Sequence, residues 1–187
     1  MKPGKIFGAA MAGAALALSA SVASAQLNST AQTIALKATL AESLTLTLSA
    51  NTVNFALSAG NANNPGSAGV TATTAWTLAP GRTSVGVYAY FTSAAAALTD
   101  GAGDNIPSSA FYIADNAGAS TPLTNTVAFG AANAGLKLAT VAITGANRSG
   151  TRTDAMTFNI NLTGGALPQL PANNYTGTLN IQAQATP

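Results

Sequence analysis

The chain has no cysteine and no histidine among its 187 residues, and only 6% of its residues are charged. Without cysteine no disulfide framework exists, so stability must come from a packed core and backbone pairing. Without histidine, the side chain that most often performs acid–base chemistry and binds zinc is missing. A serine nucleophile needs a positioned base, and Lys37 and Lys137 stand in no motif that would supply one. Hydrolysis by paired carboxylates needs two acids facing each other across a cleft, whereas the five acidic residues are scattered. The expectation is a protein that is not an enzyme. Few charges also leave little repulsion between copies, which favours self-association.

The first residues read as a leader. Lys2 and Lys5 form a basic start, Ile6 to Ala20 is an apolar, alanine-rich stretch, and Ala23-Ser24-Ala25 has the form of a signal-peptidase site. A retained anchor is the competing reading, but the apolar stretch is short against the ~20 residues a membrane span requires. The expected organisation is a signal peptide over 1–25 and one domain over 26–187. No later stretch is long and apolar enough for a membrane span. Loss of Lys2 and Lys5 leaves Lys37, Arg82, Lys137, Arg148 and Arg152 against Glu42, Asp100, Asp104, Asp115 and Asp154. That balance is neutral and does not support binding to nucleic acid. The expected location is secreted or cell-surface: in a bacterium, the periplasm or the exterior.

After the leader, the pattern is that of β structure. From Ile34 to Leu48 the apolar side chains fall on alternate positions, broken only by Glu42. Fully extended, that stretch would span roughly 50 Å, far beyond a usual strand. It must therefore bend, change sheets at Glu42, or leave its own domain and pair elsewhere. A short helix over Ala35 to Leu44 is the alternative, since leucines also recur every fourth residue; the threonines favour a strand. Shorter alternating runs follow at Val53-Phe55-Leu57, Val70 to Leu78, Val85 to Phe91, Ala110 to Ile113, Leu136 to Ile143, Met156 to Leu162 and Tyr175 to Ala183. In the run from Leu136 the apolar parity changes from even to odd, as a β-bulge would produce. Residues 114–135 are poorly periodic and read mostly as loop. About eight to ten short strands with turn punctuation imply an all-β, immunoglobulin-like antiparallel β-sandwich.

Three groups of side chains are candidate sites. Asp100, Asp104 and Asn105, in DGAGDN, put oxygen donors on a glycine-rich loop that could take Ca²⁺, although the same residues are ordinary turn formers. Arg148, Arg152 and Asp154 suggest either a patch for an anionic or sugar ligand, or a solvated hairpin with a weak ion pair. Tyr88 and Tyr90 lie on the face of their strand opposite the apolar one, where rings can stack on a ligand or on another subunit. Trp76 shares parity with Val70 and Leu78 and belongs to the core.

Two segments, QTIALKATLAESLTLTLSANTVNF near the start and LPANNYTGTLNIQAQA at the end, resemble the ends of spore-coat-protein-U-like secreted domains, which are similar to pilins of archaic chaperone–usher pili. The resemblance implies an incomplete immunoglobulin-like sandwich completed by an N-terminal donor strand of the next subunit. On it, residues 26–41 would hold the donor strand, with Ile34, Leu36, Ala38 and Leu40 as its knobs. Tyr175, Leu179 and Ile181 would lie on the final strand beside the acceptor groove. A periplasmic chaperone and an outer-membrane usher would be the partners. The chain departs from the family in having no cysteine pair.

Two functions remain from the sequence. One is a secreted structural or surface-assembly subunit joined by β-strand addition. The other is a monomeric extracellular module that binds carbohydrate or mediates adhesion through Tyr88, Tyr90 or the loops near Asp100 and Arg148.

Overall fold

The computed structural model describes residues 27–187; the expected signal peptide over 1–25 lies outside the described residues. The chain divides into two units, residues 1–38 and 39–187. In the described part of the first, residues 27–38 carry no helix or strand and every residue is exposed, with Leu27, Ile34 and Leu36 at 97, 85 and 89%.

The second unit is an antiparallel β structure. Its strands are β1 (Ser43–Leu48), β2 (Asn64–Pro65), β3 (Val70–Thr77), β4 (Ser84–Tyr90), β5 (Leu98–Thr99), β6 (Asn105–Ile106), β7 (Phe111–Asp115), β8 (Thr121–Pro122), β9 (Gly135–Ala142), β10 (Ser149–Ile160) and β11 (Asn180–Thr186). One sheet has the order β1-β3-β10-β7-β8, with β2 joined to the end of β10. The second has the order β11-β4-β9. β5 and β6 form a small separate hairpin.

The two sheets enclose the core because alternate residues of each strand point between them. Val70 and Ala72 of β3, Ile113 of β7 and Met156, Phe158 and Ile160 of β10 meet Ala89 of β4 and Leu136 of β9 in one cluster. Trp76, Leu78, Val85 and Ile143 form a second cluster at the other end, joined by Leu44 and Ala185. Trp76 is thus core, as its parity implies, and its indole N–H donates to the Asn147 carbonyl at 2.9 Å.

The parity change in β9 is a bulge. Val87 faces Ala139 and Tyr88 faces Lys137, so Leu138 is the extra residue. Three readings need correction. The run from Ile34 to Leu48 is a strand only from Ser43; Ile34, Leu36, Ala38 and Leu40 lie in no strand, because a strand needs a neighbour and none pairs with them among the described residues. Residues 35–42 are not helical either. The final strand begins at Asn180 rather than Tyr175, because its partner β4 ends at Tyr90.

Candidate functional site

β1 and β11 are the outermost strands of their two sheets, and they lie on the same side of the sandwich. At one end Leu44 and Ala185 close the gap between them by joining the Trp76 cluster. Towards the other end the gap opens. After Leu48 the chain leaves regular pairing, and residues 50–57 make one isolated bridge, Phe55 to Gly66. Residues 170–179, which lead into β11, also make only one among the described residues, Thr176 to Thr99. Between these two walls lies a groove of about 860 Å³.

The floor of the groove is apolar. Val70, Met156, Phe158, Ile160 and Leu162 come from the larger sheet and its continuation, and Phe91 and Phe111 flank them. Phe111 packs edge-on against Phe55 at 5.7 Å and Phe91 at 5.2 Å between ring centroids. Val53, Phe55 and Leu57 make one wall, and Leu170, Tyr175, Leu179 and Ile181 the other. Tyr175, Leu179 and Ile181, which the resemblance sets on the final strand, are among its lining residues. The sequence reading missed Val53, Phe55 and Leu57, whose alternation reads like that of any strand.

The Asp100 loop fixes the second wall. Asp100 Oδ1 accepts from the amides of Ala102, Gly103 and Asp104 at 2.8, 3.1 and 3.0 Å. Its Oδ2 accepts from Asn173 Nδ2 at 3.0 Å. These bonds, the Ala102 amide first, hold the carboxyl below the ordinary range. Beside it, Thr99 and Thr176 exchange two backbone hydrogen bonds of 2.9 Å. Asp100 therefore latches the loop and ties it to the wall carrying Tyr175. Asn105 Nδ2 donates to the Gly103 carbonyl, and no group of three acidic, histidine or cysteine side chains suited to a metal occurs among the described residues. This is the hydrogen bonding of a turn, with both Asp100 oxygens already engaged.

Arg152 and Asp154 are not a solvated hairpin. Both lie within β10 on the inward-facing parity, and Asp154 is fully buried. Arg152 donates to Asp154 Oδ1 from Nε at 2.7 Å and approaches it with Nη2 at 2.5 Å. Arg148 is exposed and apart from the pair.

Tyr88 and Tyr90 lie on the outer face of the smaller sheet, half-exposed, away from the groove. Phe129 joins them, 5.8 Å from each ring centroid, edge-on to Tyr88 and stacked on Tyr90. Phe129 sits in the poorly periodic stretch, where no sequence pattern marks it.

Family models, curated proteins and solved structures were compared with this chain, and none matches it.

Proposed function

We infer that this protein is a non-catalytic structural subunit, exported to the cell surface, that polymerises by β-strand addition. The observation that carries the reading is the apolar groove open between two outermost strands. A sandwich normally closes such a gap with its own chain, because unpaired edges and exposed core cost stability. An inserted strand would pair with the free edge leading into β11 and bury its alternate side chains on the groove floor.

The segment before β1 fits that role. Ile34, Leu36, Ala38 and Leu40 alternate over seven positions, and so do Met156, Phe158, Ile160 and Leu162 on the floor. Each stretch spans roughly 20 Å in extended form, so the knobs match the floor in number and length. Leu40, like Ile34 and Leu36, is 85% or more exposed. Such side chains gain roughly 1.5–3 kcal/mol each on full burial.

Position favours exchange between copies. β1 begins at Ser43, opposite Thr77, at the closed end of the sandwich, whereas the groove opens beyond Leu48. β1 therefore begins at the end opposite the groove, and repeated head-to-tail contacts of this kind would build a filament. A groove this apolar would also need cover before assembly, the task the resemblance gives to a periplasmic chaperone, with an outer-membrane usher as the site of polymerisation.

The test is a full chain carrying Ile34→Asp and Leu36→Asp. It should stay folded and monomeric. A synthetic peptide of residues 30–41 should bind it, raise its melting temperature and protect the Leu179 and Ile181 amides from exchange. Continued polymerisation of the double variant would refute the reading.

A further inference from the structure

The outer face of the smaller sheet is built differently from a plain solvated face. Tyr88 and Tyr90 alternate with the buried Val87 and Ala89 and so point outwards. Between Ser84 and Tyr88 on that face stands Gly86, which is buried although it faces out. A Cβ there would lie 2.6 Å from the Tyr88 hydroxyl and 2.8 Å from two of its ring carbons. The Tyr88 ring is therefore laid back along the strand over Gly86, with one face on the backbone. Gly130, at φ +77°, plays the same part for Tyr90: a Cβ would strike that ring and the Phe91 carbonyl. These two glycines let a loop bring Phe129 down beside both tyrosines.

The surround is polar and almost uncharged. On β11, Asn180 pairs with Tyr90, Gln182 with Tyr88 and Gln184 with Gly86. On β9, Lys137 pairs with Tyr88 and Thr140 with Gly86. Lys137 is the single charge among these positions. Tyr90 donates its hydroxyl proton to Gln182 Oε1 at 2.8 Å, which fixes the exposed amide and leaves its NH₂ group as a donor.

We propose that this face binds a neutral polysaccharide. A flat ring offers an apolar surface to the C–H face of a pyranose, and a row of amides beside it offers paired donors and acceptors to the hydroxyls. An anionic chain would find one cation here, and an apolar peptide would meet a rim of amides it could not satisfy. The face is separate from the groove, so this site does not depend on the assembly reading. An assembled filament would display it once per subunit.

Saturation-transfer NMR on the full chain tests it, with neutral hexasaccharides of glucose, mannose, xylose and N-acetylglucosamine, and a galacturonate hexamer as the anionic control. At least one neutral probe should receive saturation at its ring C–H protons. Tyr88→Ala should weaken its binding about tenfold, the loss of a single stacking contact, and Tyr88→Phe should retain it. Gln182→Ala, at an exposed position that cannot disturb the core, should also weaken it. Light scattering on Tyr88→Ala should show assembly unchanged, which separates this site from the groove. Absence of transfer to every neutral probe, preference for galacturonate, or binding indifferent to both Tyr88→Ala and Gln182→Ala would overturn the proposal.

Discussion

Glu42 and Arg82 meet through two contacts of 3.1 Å, Nε to Oε1 and Nη2 to Oε2. Glu42 Oε1 also accepts the Ala79 amide at 2.8 Å. The residue that breaks the long alternation is thus the one that pins the chain to the β3–β4 turn, just before β1 begins. The described residues before it, 27–41, lie in no helix or strand.

Arg82→Ala should loosen this anchor. The Arg82 hydrogen bond is the largest influence holding the Glu42 carboxyl below its ordinary value. A depressed carboxyl contributes stability that is present above its unfolded pKa and lost as pH falls through the lower folded one. Thermal melts should therefore separate wild type from Arg82→Ala at neutral pH and converge in acid. A gap that persists in acid would assign the effect to packing of the arginine stem instead.

The buried pair gives a larger effect. Asp154→Ala should cost about 3 kcal/mol, the lower end for breaking a buried ion pair, because Arg152 is 31% exposed and can turn to water. Denaturant titration measures it. The neighbouring Asp115 behaves in the opposite sense to Glu42. Desolvation, then the charge of Asp154, pushes its carboxyl above the ordinary range. A raised acid contributes stability that is fully present below its unfolded pKa and is lost as pH rises through the folded value. Asp115→Asn should therefore be more stable than wild type at neutral pH, with the gain disappearing on acidification.

Much of the fold is written in the sequence as parity. The clean alternation in Val70 to Trp76 and Met156 to Ile160 becomes the centre of the larger sheet, and the parity break near Leu138 becomes a bulge. The groove is less legible. Val53, Phe55 and Leu57 alternate as paired residues do; what distinguishes them is a missing neighbour, which is a property of the assembled sheets and not of the local pattern. Asp154 is a similar case. Its charge reads as solvated until β10 runs on to Ser149 and turns it inward. Phe129 has no periodic context at all, and only the close approach of Gly130 to Tyr90 brings it to a site.

The bulge itself is testable. Deleting Leu138 joins Lys137 to Ala139, which already face Tyr88 and Val87. Both faces of β9 keep their alternation, so the deletion should be tolerated at a cost of about 1 kcal/mol for a half-buried leucine. Deleting Thr140 instead would shift one side of the strand by a residue and turn a buried face outward. The first variant should melt cooperatively slightly below wild type, and the second should fail to fold. Equal tolerance of both would show that the β4–β9 register is not fixed by this bulge.

The central claim is that one copy completes another. Its most direct test is the solution mass of the unsubstituted protein, by light scattering after size exclusion across a dilution series. Strand exchange predicts a ladder of multiples of the single-chain mass that persists on dilution, because inserted strands leave slowly. A single-chain mass at every concentration would mean that the groove is filled from within, and would contradict the account.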